Sequence, residues 1–241
     1  MKRLEIFNLY LSPYSNREII RRIDEYLLSK EYHYQVSINV NKLVECQQNI
    51  KLKKVLNNAD ISNADGMPIK WYAKLKYGIN IPRMGGLDYM DICAERFPDK
   101  RYFFLGATDG VLSKVVKYYR EKYHLNIVGY RNGYFPREEE AQVVEHINSC
   151  RPHFLFIAVG TPQKEYFLYE NRDRLKVCFA IGVGGAFDII AGKIKRAPAW
   201  MQDIGFEWLW RLSLEPRRLW KRYAISNSKF IYYLVRDIIC K

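Results

Sequence analysis

Between residues 101 and 190 the chain alternates short apolar runs with stretches whose apolar positions recur at helical spacing. Tyr102-Phe103-Phe104-Leu105 predicts a buried strand, Gly106-Ala107-Thr108-Asp109-Gly110 a turn with a capping residue, and Leu112, Val115, Val116, Tyr119 and Tyr123 the inner face of a helix. The same unit recurs: a strand over Leu125 to Tyr130, then a helix over Arg137 to Ser149. Phe154 to Val159 is a continuous apolar run ending at Gly160, the pattern of a parallel strand covered on both faces. A helix from about Gln163 to Arg174, a strand over Val177 to Val183, and a further helix start after Gly184-Gly185 complete the series. Such alternation predicts an α/β fold, a Rossmann-like doubly wound and mostly parallel sheet, with ligands beyond the carboxyl ends of its strands.

The first hundred residues are less regular. Leu4 to Leu11 reads as one strand, Ser15 or Asn16 as a helix cap, and Ile19, Ile20, Ile23, Tyr26 and Leu27 as one helical face. Tyr34 to Val40 reads as a second strand, residues 41 to 56 as helical, and Asp60 to Ala64 as a short strand ending in Asp65-Gly66. From about residue 196 the rhythm stops. Phe206, Leu209, Trp210, Leu212, Leu214, Leu219 and Trp220 then form amphipathic helical stretches, broken at Glu215-Pro216. The expected organisation is an α/β core over 1–195, in two lobes with a boundary near 95–100, and a basic helical appendage over 196–241.

Charge sharpens this division. The chain has 241 residues, with 39 Lys and Arg against 26 Asp and Glu, a net charge of +13. Residues 191–241 hold 11 of the basic residues against 4 acidic ones, and four of the five tryptophans: Trp200, Trp208, Trp210 and Trp220. Basic residues interleaved with indoles suit an anionic membrane surface, and nucleic acid would also accept the charge. The longest C-terminal apolar run, Phe230 to Val235, falls far short of a membrane span of roughly 20 residues. Met1-Lys2-Arg3 is followed by a stretch interrupted by Glu5 and Asn8, with no small-residue cleavage site, which argues against a signal peptide. The expectation is a cytoplasmic protein that lies on the inner face of a membrane. The five cysteines, Cys46, Cys93, Cys150, Cys178 and Cys240, lack any CxxC pair and read as reduced thiols. No histidine spacing suits a metal.

Three glycine turns follow predicted strands: Gly106 to Gly110, Gly160-Thr161-Pro162-Gln163-Lys164-Glu165, and Gly182-Val183-Gly184-Gly185-Ala186-Phe187-Asp188. Helix N-termini at such turns favour phosphate, although any α/β protein uses glycine there. No G-x-G-x-x-G opens a βαβ unit and no GxxxxGK[ST] exists, so dinucleotide and P-loop chemistry are poor readings. Asp65, at the end of an apolar run, is either a general base aimed into a cleft or an ordinary turn aspartate before glycine. Ser37 and Asn39 alternate on one face of an apolar strand, as core polar groups or as site lining. Arg83, before Gly85-Gly86, either meets a phosphate or pairs with Asp88.

Six blocks together carry a resemblance: Asn63-Ala64-Asp65-Gly66, Arg83-Met84-Gly85-Gly86-Leu87-Asp88, Gly160 to Glu165, Gly182 to Asp188, Arg196-Ala197-Pro198, and Glu207-Trp208-Leu209-Trp210-Arg211-Leu212 through Glu215-Pro216-Arg217-Arg218. In order and spacing, from about residue 5 to residue 223, they resemble the WecG/TagA/CpsF family of bacterial glycosyltransferases. The resemblance implies an inverting, membrane-associated enzyme that moves a hexosyl or N-acetylhexosaminyl group from a UDP-sugar to a polyprenyl-diphosphate-linked saccharide in surface polysaccharide assembly. It implies Asp65 as the base, a nucleotide pocket around Tyr134, Gln163, Glu165 and Asp188, together with Gly106, Gly160, Pro162, Gly184 and Gly185, and a membrane-docking C-terminal segment. Position 37 is Ser where threonine is frequent, which keeps the hydroxyl. Gln163-Lys164 reverses the more usual Lys-Gln order before Glu165, so either side chain can be the one that reaches the nucleotide.

The residues themselves agree with that chemistry. Inverting transfer needs a carboxylate to take the acceptor proton and positive charge to stabilise the departing diphosphate. No Asp-x-Asp triplet exists to hold a metal, so no metal or other cofactor is expected. The expected cation supply is Arg83, Arg211, Arg217, Arg218 and Arg222, with Lys221 beside them. The expected partners are the UDP-sugar, the lipid-linked acceptor and an anionic membrane rather than nucleic acid; a homo-oligomer is left open. The competing readings are a basic nucleic-acid-binding protein, which accounts for the charge but not for Asp65 or the turns, and a membrane-surface adaptor, which accounts for the tail but not for the sheet.

Overall fold

A computed structural model of the chain describes residues 2–239 and shows one six-stranded, all-parallel sheet with helices on both faces. Its strands are β3 (His33–Ile38), β4 (Ile61–Ala64), β5 (Arg101–Gly106), β6 (Asn126–Arg131), β7 (Phe154–Ala158) and β8 (Phe179–Gly182), in the order β4-β3-β8-β7-β5-β6. The apolar runs that predicted β5, β7 and β8 are buried along nearly their whole length. Each strand sends alternate side chains to opposite faces. Tyr102, Phe104, Phe154, Phe156, Phe179 and Ile181 form one core with α1 (Asn16–Ser29), α5 (Gly86–Arg96), α6 (Asp109–Tyr123) and α9 (Ala186–Ile190). Phe103, Leu105, Leu155, Ile157 and Ala180 form the other with α2 (Val40–Glu45), α3 (Ile50–Asn57), α4 (Met67–Tyr77), α7 (Glu140–Ser149) and α8 (Gln163–Glu170). Strands from both sides of residues 95–100 lie in this sheet, because β3 pairs with β8.

Local chemistry explains most element boundaries. Ser15 caps α1 in a capping box: its Oγ accepts the Glu18 N–H at 3.3 Å and its own N–H donates to Glu18 Oε2 at 2.8 Å. Asn39, read as a strand position, instead caps α2, its Oδ1 accepting the Lys42 N–H at 3.1 Å. Residues 41 to 56, read as one helical stretch, divide into α2 and α3 because Asn49 caps a second start.

The reading of Leu4 to Leu11 as one strand is corrected. It is an antiparallel hairpin, β1 (Leu4–Ile6) with β2 (Leu9–Leu11), turning on Phe7 and Asn8 at φ 46° and 63°. A two-residue turn with both central residues at positive φ is the tight hairpin form usually signalled by glycine, and neither residue here is one.

The C-terminal region is helical, as read: α10 (Ala199–Asp203), α11 (Glu207–Leu214) and α12 (Pro216–Ile239), with the break at Glu215-Pro216. One face of α12 joins the core. Leu219, Ser226 and Phe230 are buried, and Phe230 packs against Phe7, which also meets Tyr72 and Tyr233. Near its end Lys76 Nζ lies 2.7 Å from Asp237 Oδ2, and the Tyr72 hydroxyl donates to the same carboxylate. Among the described residues no helix is long and apolar enough to cross a membrane. Cys46, Cys93 and Cys178 are buried free thiols and Cys150 is a half-buried one; Cys240 lies outside the described residues.

Candidate active site

Beyond the carboxyl ends of β3, β4, β7 and β8 opens a cleft of about 1360 Å³. Asp65 lies in its wall, one residue past β4. Its N–H donates to Ile38 O at 2.9 Å, which prolongs the β3–β4 pairing, and Gly66 then turns the chain into α4 at φ +123°. The loop before α5 is held beside it by the Met84 N–H, which donates to Ala64 O at 3.0 Å. Gly85 lies close by: a Cβ there would be 3.4 Å from Asp65 Oδ1, an ordinary contact distance. Burial pushes the Asp65 carboxyl above its usual range; Arg211, Lys42 and Arg83 pull it down, and Glu207 adds to the rise.

Arg83 does not pair with Asp88. Its Nη1 lies 2.6 Å from Glu207 Oε2, and its Nη2 donates to Gln202 Oε1 at 3.2 Å. Asp88 accepts the Gly85 N–H at 2.9 Å and pairs with Arg196 at 2.7 Å. Both arrangements tie the loop at the cleft to the segment after residue 195, where long-range partners were invisible to local pattern. Glu207 also holds Arg211, at 3.1 Å. Arg218 pairs with Glu215, and Arg222 lies over the Tyr223 ring; both arginines line the cleft. Arg217 and Lys221 are exposed outside it.

The glycine turns serve different ends. A Cβ at Gly106 would lie 2.5 Å from Ala158 O, so this glycine is required by the close approach of two strand ends. Gly160, Gly184 and Gly185 line the cleft, and added Cβ atoms at Gly184 and Gly185 would meet nothing. Tyr134 is exposed at the rim, and Asp188 lines the wall with Lys193 Nζ 3.3 Å away. Ser37 lines the cleft while its Oγ accepts from Gln35 Nε2 at 2.9 Å, so it is both core-satisfied and at the site. Gly106, Pro162 and Gln163 are not part of the lining, and Gln163 is exposed.

Two buried lysines line the cleft: Lys164, which the sequence left open against Gln163, and Lys42, which it missed. Glu165 Oε1 lies 2.7 Å from Lys42 Nζ and 2.9 Å from Lys164 Nζ, with all three side chains buried. The two ammonium groups hold the Glu165 carboxyl down to about 2 despite its burial. Burial and the neighbouring Lys42 charge bring Lys164 down to about 8. The Lys164 side chain, not Gln163, thus faces the cleft, and the reversed Gln163-Lys164 order was the available signal. Nothing in Val40-Asn41-Lys42 marked Lys42.

Among the described residues no group of three or more His, Cys, Asp or Glu is placed to hold a metal ion. A cleft with one carboxylate at a strand end and basic side chains in its lining fits transfer of a group that departs as an anion. A family model, glycosyl transferase WecG/TagA/CpsF family, matches residues 4–241. The chain belongs to this family. The protein is therefore a glycosyltransferase of cell-surface polysaccharide synthesis, a class that moves sugar from a donor to a lipid-linked acceptor. Membership covers the C-terminal helices as well as the sheet, so Glu207, Arg211 and Arg218 belong to the matched transferase region.

Proposed function

We propose that the protein is an inverting transferase that moves a hexosyl or N-acetylhexosaminyl group from a UDP-sugar to a polyprenyl-diphosphate-linked saccharide, with Asp65 as general base. The observation that carries this reading is the placement of Asp65 at the end of β4, in a cleft shared with basic side chains. The acceptor hydroxyl gives its proton to the Asp65 carboxylate, and its oxygen forms a bond to the anomeric carbon. The bond from that carbon to the β-phosphate oxygen breaks on the opposite side, and UDP departs with the electron pair. A single displacement inverts the anomeric centre. Desolvation makes the carboxylate a stronger base than one in water, which suits its role.

The lipid-linked acceptor is supported by the cleft lining, which holds Trp71, Leu75, Phe230 and Ile231 as well as Arg218 and Arg222. Apolar and cationic groups in one cleft match an isoprenoid chain joined to a diphosphate. The exposed Trp200, Trp220, Ile231 and Tyr232, with Arg217 and Lys221, support attachment to an anionic membrane face, which we read as the inner face of the cell membrane. Cationic side chains take the part a metal plays in other sugar-nucleotide enzymes.

The test is transfer from a panel of UDP-sugars to a polyprenyl-diphosphate saccharide, with the anomeric configuration of the product read by NMR. One donor should be consumed with inversion. Retention, or use of no UDP-sugar by active enzyme, would overturn the reading.

A further inference from the structure

Two buried lysines in the cleft share a single paired carboxylate, with the Glu45 and Asp65 charges near but not hydrogen-bonded to them. Lys42 and Lys164 have side chains only 5% and 6% exposed, and the carboxylate they share, Glu165, is 1% exposed. Two buried ammoniums on one carboxylate leave a net charge of +1. Burying an unmatched charge is costly unless a partner arrives. Glu165 Oε2 has no hydrogen-bond partner, so the pairing is made through one oxygen.

Each ammonium has three donors, and the protein uses two of them. Lys42 Nζ donates to Ser37 O at 2.6 Å and to Glu165 Oε1 at 2.7 Å; Lys164 Nζ donates to Thr161 Oγ1 at 2.5 Å and to Glu165 Oε1 at 2.9 Å. One N–H on each remains, and both residues line the cleft. Gly182 makes room for this arrangement, since a Cβ there would lie 3.2 Å from Lys164 Cδ. The arginines nearest Asp65 are already engaged: Arg83 and Arg211 on Glu207.

We propose that Lys164, fixed by Glu165 and backed by Lys42, is the cation that receives the donor's diphosphate and stabilises the negative charge gathering on its β-phosphate as the glycosidic bond breaks. The proposal rests on the reading of a nucleotide-diphosphate donor. No proton moves in this step; the ammonium N–H groups strengthen hydrogen bonds to phosphate oxygens whose charge is increasing.

The charged groups around Lys164 are Glu165 on its own helix, Lys42 and Glu45 from α2, and Asp65 from the end of β4. Burial and the Lys42 charge hold the Lys164 ammonium below the usual lysine range, and a bound diphosphate favours its charged form. UDP binding at alkaline pH is therefore expected to take up protons, measured by calorimetry in buffers of different ionisation enthalpy. Uridine should take up none. Lys164→Gln should abolish the uptake and weaken UDP about ten- to a hundred-fold, the loss of one charge-assisted hydrogen bond, with little change for uridine.

UDP that binds with no proton uptake, and equally well to Lys164→Gln, overturns the inference and leaves the UDP-sugar reading standing. GDP or inorganic pyrophosphate bound with the uptake, while UDP is not bound, supports the inference and overturns UDP as the carrier. No binding of any of the three overturns both. If the variant fails to fold, UDP that binds wild type at least about tenfold tighter than uridine supports the inference, and UDP that binds no tighter than uridine overturns it.

Discussion

Arg83 Nη1 and Glu207 Oε2 lie 2.6 Å apart and join residues 124 positions distant in the chain. The pair ties the loop beside Asp65 to α11, so the C-terminal helices share in setting the environment of the base. Glu207 helps raise the Asp65 carboxyl and Arg211 helps lower it. The rate should fall as pH drops through the Asp65 pKa, because the protonated acid is no longer a base. Glu207→Gln removes an upward push, so the acid limb of kcat/KM should move to lower pH. Arg211→Gln removes a downward pull, so that limb should move to higher pH. Identical profiles for both variants and wild type would separate Asp65 from the rate.

Asp65→Asn preserves shape and removes the proton acceptor. Transfer is expected to fall by about 10² to 10⁴, while UDP affinity, measured by calorimetry, changes little. Full turnover by the folded variant would show that another group takes the proton.

Glu165 offsets two buried ammoniums, so Glu165→Gln should destabilise the protein by about 3 to 5 kcal/mol in denaturant unfolding. Its carboxyl is held at about 2, below the usual value of 4.5. A group depressed on folding contributes stability that is present above its unfolded pKa and is lost as pH falls through the folded one. Wild type should therefore lose its advantage over Glu165→Gln as pH falls from about 5 toward about 2.

Cationic side chains as the diphosphate's partners lead to a metal expectation. Transfer should survive excess EDTA, assayed with the lipid-linked acceptor. Loss of activity on chelation and its recovery with magnesium or manganese would place a metal where the lysines and arginines are assigned.

Membrane attachment is best tested on the exposed side of α12. Deleting residues 196–241 would strip Leu219 and Phe230 from the core and confound docking with folding. Arg217→Gln with Lys221→Gln removes two exposed charges, each contributing about 1 kcal/mol at an anionic surface, so partition onto anionic liposomes should fall about thirty-fold. UDP binding should remain. Unchanged sedimentation with liposomes would move the docking surface elsewhere.

The amino-acid pattern by itself determined the sheet of β5, β7 and β8, because a strand covered on both faces must be apolar at every position, and that signal is local. It also determined the helical tail and the position of Asp65 at a strand end. The hairpin at Phe7-Asn8 escaped it, because its turn lacks the glycine by which such turns are recognised. Only the tertiary structure decided which charges meet. Lys42 and Glu165 lie on different helices, and Arg83 and Glu207 on a loop and a helix, with most of the sheet between the members of each pair in sequence. An isolated charge in a sequence reads the same whether it is solvated or buried. What separates the two is the partner that offsets its lost hydration, and that partner is brought near only when the chain folds.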